Sequence, residues 1–278
     1  AAETAVPLWL NGHHPNSALL DNPWSRMEAE TESMLVSLDE ETTRALLQDV
    51  PSVYNTNIND ALLAALTLAF NEVLEQESFG VMLEGHGRED HIVGGVDLSR
   101  TVGWFTSHYP VFLQLDPQSD PGTALKLIKE QLRQIPDYGI GYGLLRYLRP
   151  GSPLSGQPEP QVLFNYIGQF ERSLSKSEFF MLSGPLRASY GARNQRTHPL
   201  QINARVQQEQ LEVKWSYVPG QIPSSKIQAL ADKFISHLHI LVEHCLATDD
   251  TEFTRSDFEL LDLDDEQFDD LANLLGSL

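Results

Sequence analysis

INDALLAALTLAFNEVLEQESFGVMLEGHGRED runs from Ile58 to Asp90. Its first half places Leu62, Leu63, Leu66, Phe70, Val73 and Leu74 at the spacing of one wide helical face. Asn59 fits the N-cap of that helix, and Ile58 with Leu63 has the spacing of a hydrophobic staple. Phe79 to Glu84 then reads as a buried strand, an apolar run that stops on an acid and is followed by Gly85, His86 and Gly87. A core helix running straight into a core strand predicts an α/β protein.

The flanks extend the pattern. ETESMLVSL, Glu30 to Leu38, reads as a strand leading into a helix, with Ser37 and Glu40 at capping-box spacing and Pro51 just beyond its end. YPVFLQL, Tyr109 to Leu115, is another strand. Asp120 and Pro121 open a helix with Leu125, Ile128 and Leu132 on one side, and Pro136 closes it. QVLFNYIG, from Gln161, reads as a strand, and ERSLSKSEFF as a loop with a short strand after it. QINARV and LEVKWSYV alternate, with Ile202, Ala204 and Val206 on one face and Leu211, Val213, Trp215 and Tyr217 on another; polar QQEQ between them predicts an antiparallel hairpin. After Pro223 a long helix buries Ile227, Leu230, Phe234, Leu238, Leu241 and Cys245. The sum is a two-layer α/β sandwich, a mixed sheet covered by helices.

The chain has 278 residues and a net charge of −20, which argues against nucleic acid, since phosphate binding needs clustered Lys and Arg. No apolar run reaches membrane-spanning length, and one cysteine, Cys245, excludes an internal disulfide framework and fits a reducing cytoplasm. Three regions are expected: a linker or crossover remnant over 1–29, the main lobe over 30–248, and an acidic C-terminal linker over 249–278. In the last, Phe268, Leu271, Leu275 and Leu278 form a helical stripe able to dock on a partner.

Most apparent sites fail on geometry. His13 and His14 are adjacent and lack a scaffold. His237, His239 and His244 cannot converge, because helix positions two apart diverge by about 200°. GIGYG, Gly139 to Gly143, does not follow a strand in a βαβ unit, so it is no dinucleotide fingerprint. No metal site is expected. Glu84 remains, with two readings. It pairs with Arg88 or caps a turn, or it is a partly desolvated carboxylate able to give and take protons.

Four segments in order resemble the signature motifs of epimerization domains in nonribosomal peptide synthetases: EGHGRE from Glu84, RTVGWFTSHYP from Arg100, DYGIGYGLLRY from Asp137 and LFNYIGQF from Leu163. The resemblance runs from about Glu30 to Leu261, and condensation domains share the superfamily. It implies a lobe similar to a chloramphenicol acetyltransferase monomer. The partner lobe of such domains carries an HHxxxD motif, which His13-His14-Pro15 does not continue, so this chain resembles the second lobe alone.

By that resemblance, an L-aminoacyl or L-peptidyl thioester arrives on the 4'-phosphopantetheine of a peptidyl carrier protein. Its α-proton is removed and returned from the other face, giving an L/D mixture. Glu84 would be one acid/base, and Asn165 and Tyr166 would line the tunnel and donate to an enolate-like oxygen. His86 and Arg88 would support the glycine turn, and Trp104 and Tyr109 would form core and tunnel wall. No bound cofactor is implied. The implied partners are the carrier protein, the first lobe and neighbouring synthetase modules. Separately, because the chain is acidic overall, carrier docking would have to use a local basic or apolar patch, with Arg187, Arg193 and Arg196 as the candidate. Two rivals stand beside this: a non-catalytic carrier-docking lobe, and a peptide-bond-forming condensation domain.

Overall fold

In the structure, a computed structural model, residues 6–11, 19, 27–89, 92, 96–98, 100–169, 191, 193–248, 251–258, 267 and 271 are described. His13, His14, Arg187 and, apart from Leu271, the C-terminal stripe lie outside them.

Six strands form one mixed sheet: β1 (Glu32–Leu38), β2 (Ser78–Gly85), β3 (Ser107–Gln114), β4 (Val162–Tyr166), β5 (Leu200–Gln207) and β6 (Gln210–Tyr217). Their order is β1-β6-β5-β4-β2-β3. β2, β4 and β5 run parallel, while β1–β6, β5–β6 and β2–β3 are antiparallel pairs. The α-helices are α1 (Val6–Asn11), α2 (Glu40–Gln48), α3 (Val50–Tyr54), α4 (Ile58–Leu74), α5 (Pro121–Arg133), α6 (Ile140–Gly143) and α7 (Ser224–Leu246), with short 3-10 helices at Glu28–Glu30, Pro136–Gly139 and Arg255–Phe258 and a π-helical turn at Leu144–Leu148. α4 and α7 lie against each other over the sheet. The expected two-layer α/β lobe is the observed one.

Burial alternates along β5 and the start of β6, while β2 and the first half of β4 are buried on both faces. Val81, Leu83, Phe164, Ile202, Ala204, Val213 and Trp215 are buried in one core with Phe70, Leu230, Phe234 and Leu238. The expected β5–β6 hairpin is present; Gln208 and Glu209 turn it with φ of 49° and 63°, the left-handed pair of a tight two-residue loop.

Two caps differ from the expected ones. The N-cap of α4 is Asn57 rather than Asn59: its side chain accepts from Asp60 N, and the Asp60 carboxylate accepts from Asn57 N. The N-cap of α2 is Asp39, which accepts from Thr42 N, because Ser37 is held in β1 opposite Glu212. Pro51 opens α3 rather than simply ending what precedes it.

Candidate active site

β2 delivers Glu84 to the face opposite the helices. In the register Glu84 stands beside His108 of β3, and one step further along the parallel β2–β4 ladder, which pairs Leu83 with Phe164, lies Asn165. The contacts follow. Asn165 Nδ2 donates to Glu84 Oε2 at 2.7 Å, and His108 Nε2 lies 3.4 Å from Glu84 Oε1. The carboxylate is about a quarter exposed, held on one oxygen and faced by an imidazole on the other.

The turn after Glu84 is built for close approach. Gly87 has φ +64°, and a Cβ there would lie 1.7 Å from the Phe105 carbonyl oxygen. His86 Nδ1 accepts from Arg88 N at 3.0 Å, and its Nε2 lies 3.6 Å from Glu89 Oε1. Arg88 donates to the Leu98 carbonyl and lies over the Phe105 ring. These two residues therefore brace the glycine turn, and Arg88 makes its contacts with Leu98 and Phe105 rather than with Glu84. Their support reaches Glu84 through the backbone, not by touching its carboxylate.

Tyr109 is buried, and burial pushes its hydroxyl up to about 12. A Cβ on Gly139, φ +73°, would fall 2.1 Å from the Tyr109 ring, so the GIGYG glycine exists to let that ring pack on bare backbone. Trp104 is not core, contrary to expectation: it is 92% exposed. With Val102, Tyr138, Leu144, Tyr147 and Leu148 it belongs to a set of exposed apolar side chains.

Tyr166 and Asn165 part company. Successive strand residues point to opposite faces, so Tyr166 follows Phe164 to the helix side. There it packs partly buried against the core, with its hydroxyl pushed up by burial. Asn165 meets Glu84 instead of standing free for an enolate oxygen. His108 is the member that residue-by-residue reading misses. It lies within the RTVGWFTSHYP segment, and only the β2–β3 register reveals its neighbour.

Other expectations end here. Arg196 is buried, donating to Thr31 and the Ser216 carbonyl, so it cannot serve a surface docking patch; Arg193 is exposed. His237 engages Glu72, and His244 shares a hydrogen bond with Tyr54. Among the described residues no group of His, Cys, Asp and Glu could hold a metal, and no helix is long and apolar enough to cross a membrane.

The model of the condensation domain matches residues 9–263. This chain belongs to the condensation-domain family. Bacitracin synthase 2 of Bacillus licheniformis is 35% identical over 241 residues, covering 87% of this chain and 9% of that protein. Gramicidin S synthase 1 of Brevibacillus brevis is 38% identical over 250 residues, covering 85% of this chain and 22% of its own length. The crystal structure of the epimerization domain from the third module of tyrocidine synthetase B superposes with a TM-score of 0.78 at 33% identity, covering 88% of this chain and 56% of that one. A four-domain nonribosomal peptide synthetase shares the fold, with a TM-score of 0.63 at 14% identity, covering 87% of this chain and 19% of that one. The chain thus spans a small part of the curated relatives it matches.

Proposed function

We propose that this condensation-family lobe supplies one acid/base of an epimerization site acting on a carrier-tethered aminoacyl or peptidyl thioester. The observation that carries the reading is the fixed carboxylate of Glu84, anchored by Asn165 and faced by His108 at the end of β2. Removing a proton from an α-carbon needs a base aimed from one side and an acid from the other. Asn165 holds one carboxylate oxygen, which leaves Oε1 to take the proton, and His108 stands where it can receive or return it. The second acid/base has to come from a complementary lobe.

Identity supports the subtype: 33% to the tyrocidine epimerization domain, against 15% and 16% to two condensation-domain structures. The substrate is carried on the phosphopantetheine of a carrier protein, and Tyr109 is wall and support in this reading.

The test pairs the chain with a complementary first lobe and a loaded carrier in deuterated buffer. Glu84→Gln should lower α-proton exchange by about 10²-fold or more while the fold, followed by circular dichroism, is retained. Exchange at the unaltered rate removes Glu84 from the mechanism. Peptide-bond formation without exchange would establish the condensation reading instead.

A further inference from the structure

β3 brings to Glu84 a group that gives its proton a way out. Alternation along the strand turns Ser107 and Tyr109 to one face and His108 to the other, and His108 is the exposed one of the three. A Cβ on Gly139 would strike the Tyr109 ring, so this ring rests on bare backbone and fixes the strand beside His108. His108 Nε2 thus stands 3.4 Å from Glu84 Oε1, while Asn165 holds the other carboxylate oxygen at 2.7 Å. The first separation is slightly longer than a made hydrogen bond. Catalytic pairs close that slack once substrate is bound.

The two side chains differ in their access to water. Glu84 is 24% exposed and His108 is 43% exposed. With Oε2 engaged by Asn165, a proton that reaches the carboxylate settles on Oε1, the oxygen that His108 faces. An imidazole takes and gives protons near neutral pH. A hydrogen taken by Glu84 therefore meets water through the ring of His108.

We propose that Glu84 and His108 together exchange the substrate's α-hydrogen with water on one face, without inversion. The proposal rests on the epimerization reading and adds to it an activity that inversion does not require. The α C–H bond breaks, its electron pair stays in the enolate-like thioester, and the proton forms an O–H bond at Glu84 Oε1. That proton passes to His108 Nε2, and the imidazolium releases one to water. A solvent hydrogen returns by the same route. The enolate electron pair then forms a new C–H bond on the face that the first hydrogen left. Inversion differs in taking its hydrogen from the acid of the complementary lobe.

The chain, paired with a complementary first lobe and in excess over the carrier, is given the L- or the D-aminoacyl thioester in deuterated buffer. Each site then turns over once, and the released amino acid is analysed for configuration and deuterium at low conversion. The enantiomer whose α-hydrogen faces Glu84 should gain deuterium while keeping its configuration. His108→Gln still offers an N–H to Oε1 but cannot carry a proton. It should lower this labelling by about 10²-fold and inversion by much less, so their ratio falls. His108→Ala should do the same and regain labelling when imidazole is added, and circular dichroism checks that both variants fold.

A ring that only orients Glu84 would lower labelling and inversion in proportion, and that result overturns the proposal. Unchanged labelling in both variants, or deuterium confined to the inverted product in the wild type, overturns it too. Glu84→Gln is assayed in parallel. Loss of both processes there, with labelling intact in His108→Gln, sinks the outlet and spares the reading of Glu84. Labelling and inversion that both survive Glu84→Gln sink the reading itself.

Discussion

Asn165 tethers the carboxylate at one oxygen, and that single amide decides where Glu84 points. In the proposed reaction it is a positioning residue, not a proton carrier. A hydrogen bond to a charged group is worth about 1.5–3 kcal/mol, so Asn165→Ala should slow α-proton exchange about 10- to 100-fold. A residue acting only through Glu84 has nothing left to orient once the carboxylate is gone. Asn165→Ala should therefore add little to Glu84→Gln, and the double-mutant cycle measured by exchange rates is the check. Additive losses would show that Asn165 works on the substrate directly. At this scale the sequence exposes Glu84 through an acid ending an apolar run. It hides His108, whose role comes from standing opposite Glu84 in an antiparallel pair. It also makes Tyr166 look like a partner of Asn165, although alternation along β4 sends the two to opposite faces.

Among the elements, α4 shows how a cap becomes a tertiary tie. The Asp60 carboxylate is fully buried, accepts from Asn57 N at 2.7 Å, and receives Arg133 at 3.0 and 2.7 Å from α5. Removing one partner of a buried pair leaves the other uncompensated. Asp60→Ala should cost about 3 kcal/mol, read as a lower urea midpoint at unchanged slope. Arg133→Leu in the same chain should restore part of the loss, and no restoration would mean that the cap alone accounts for it. The apolar stripes of α4 and α7 and the β5–β6 hairpin are legible because each is a local period. The caps are not: Asn57 is chosen over Asn59 by Asp60, which Arg133 holds from another helix, and Ser37 is taken from capping by the β1–β6 ladder. Trp104 reads as core on hydrophobicity, which marks what favours burial but not the surface that buries it.

Across the whole molecule, acid acts on folding through two kinds of group at different pH. Asp39 and Asp120 are held below the ordinary carboxylate value by hydrogen bonds from Thr42 and Thr123, and Glu72 by Lys233. Asp257 is pushed up by burial but drawn below its ordinary value by Lys129 and Thr254. Each stabilises the fold above its unfolded pKa and loses that contribution as the pH falls through its lower, folded one. His198 acts earlier. Its ring is neutral in the fold down to about pH 4, whereas in the unfolded chain it takes a proton near 6.5. The unfolded state binds more protons between those values, so the contribution is complete above pH 6.5 and is lost on the way to 4. At pH 5 this amounts to about 2 kcal/mol. With a net charge of −20, acidification also relieves self-repulsion, which works the other way. The two are separated by comparing the protein with His198→Phe, which keeps the charge background. Between pH 7 and pH 5 the urea midpoint of the wild type should fall relative to that of the variant. Parallel curves through that window would mean that His198 takes up a proton as readily in the fold as outside it, and that its nitrogen is open to water.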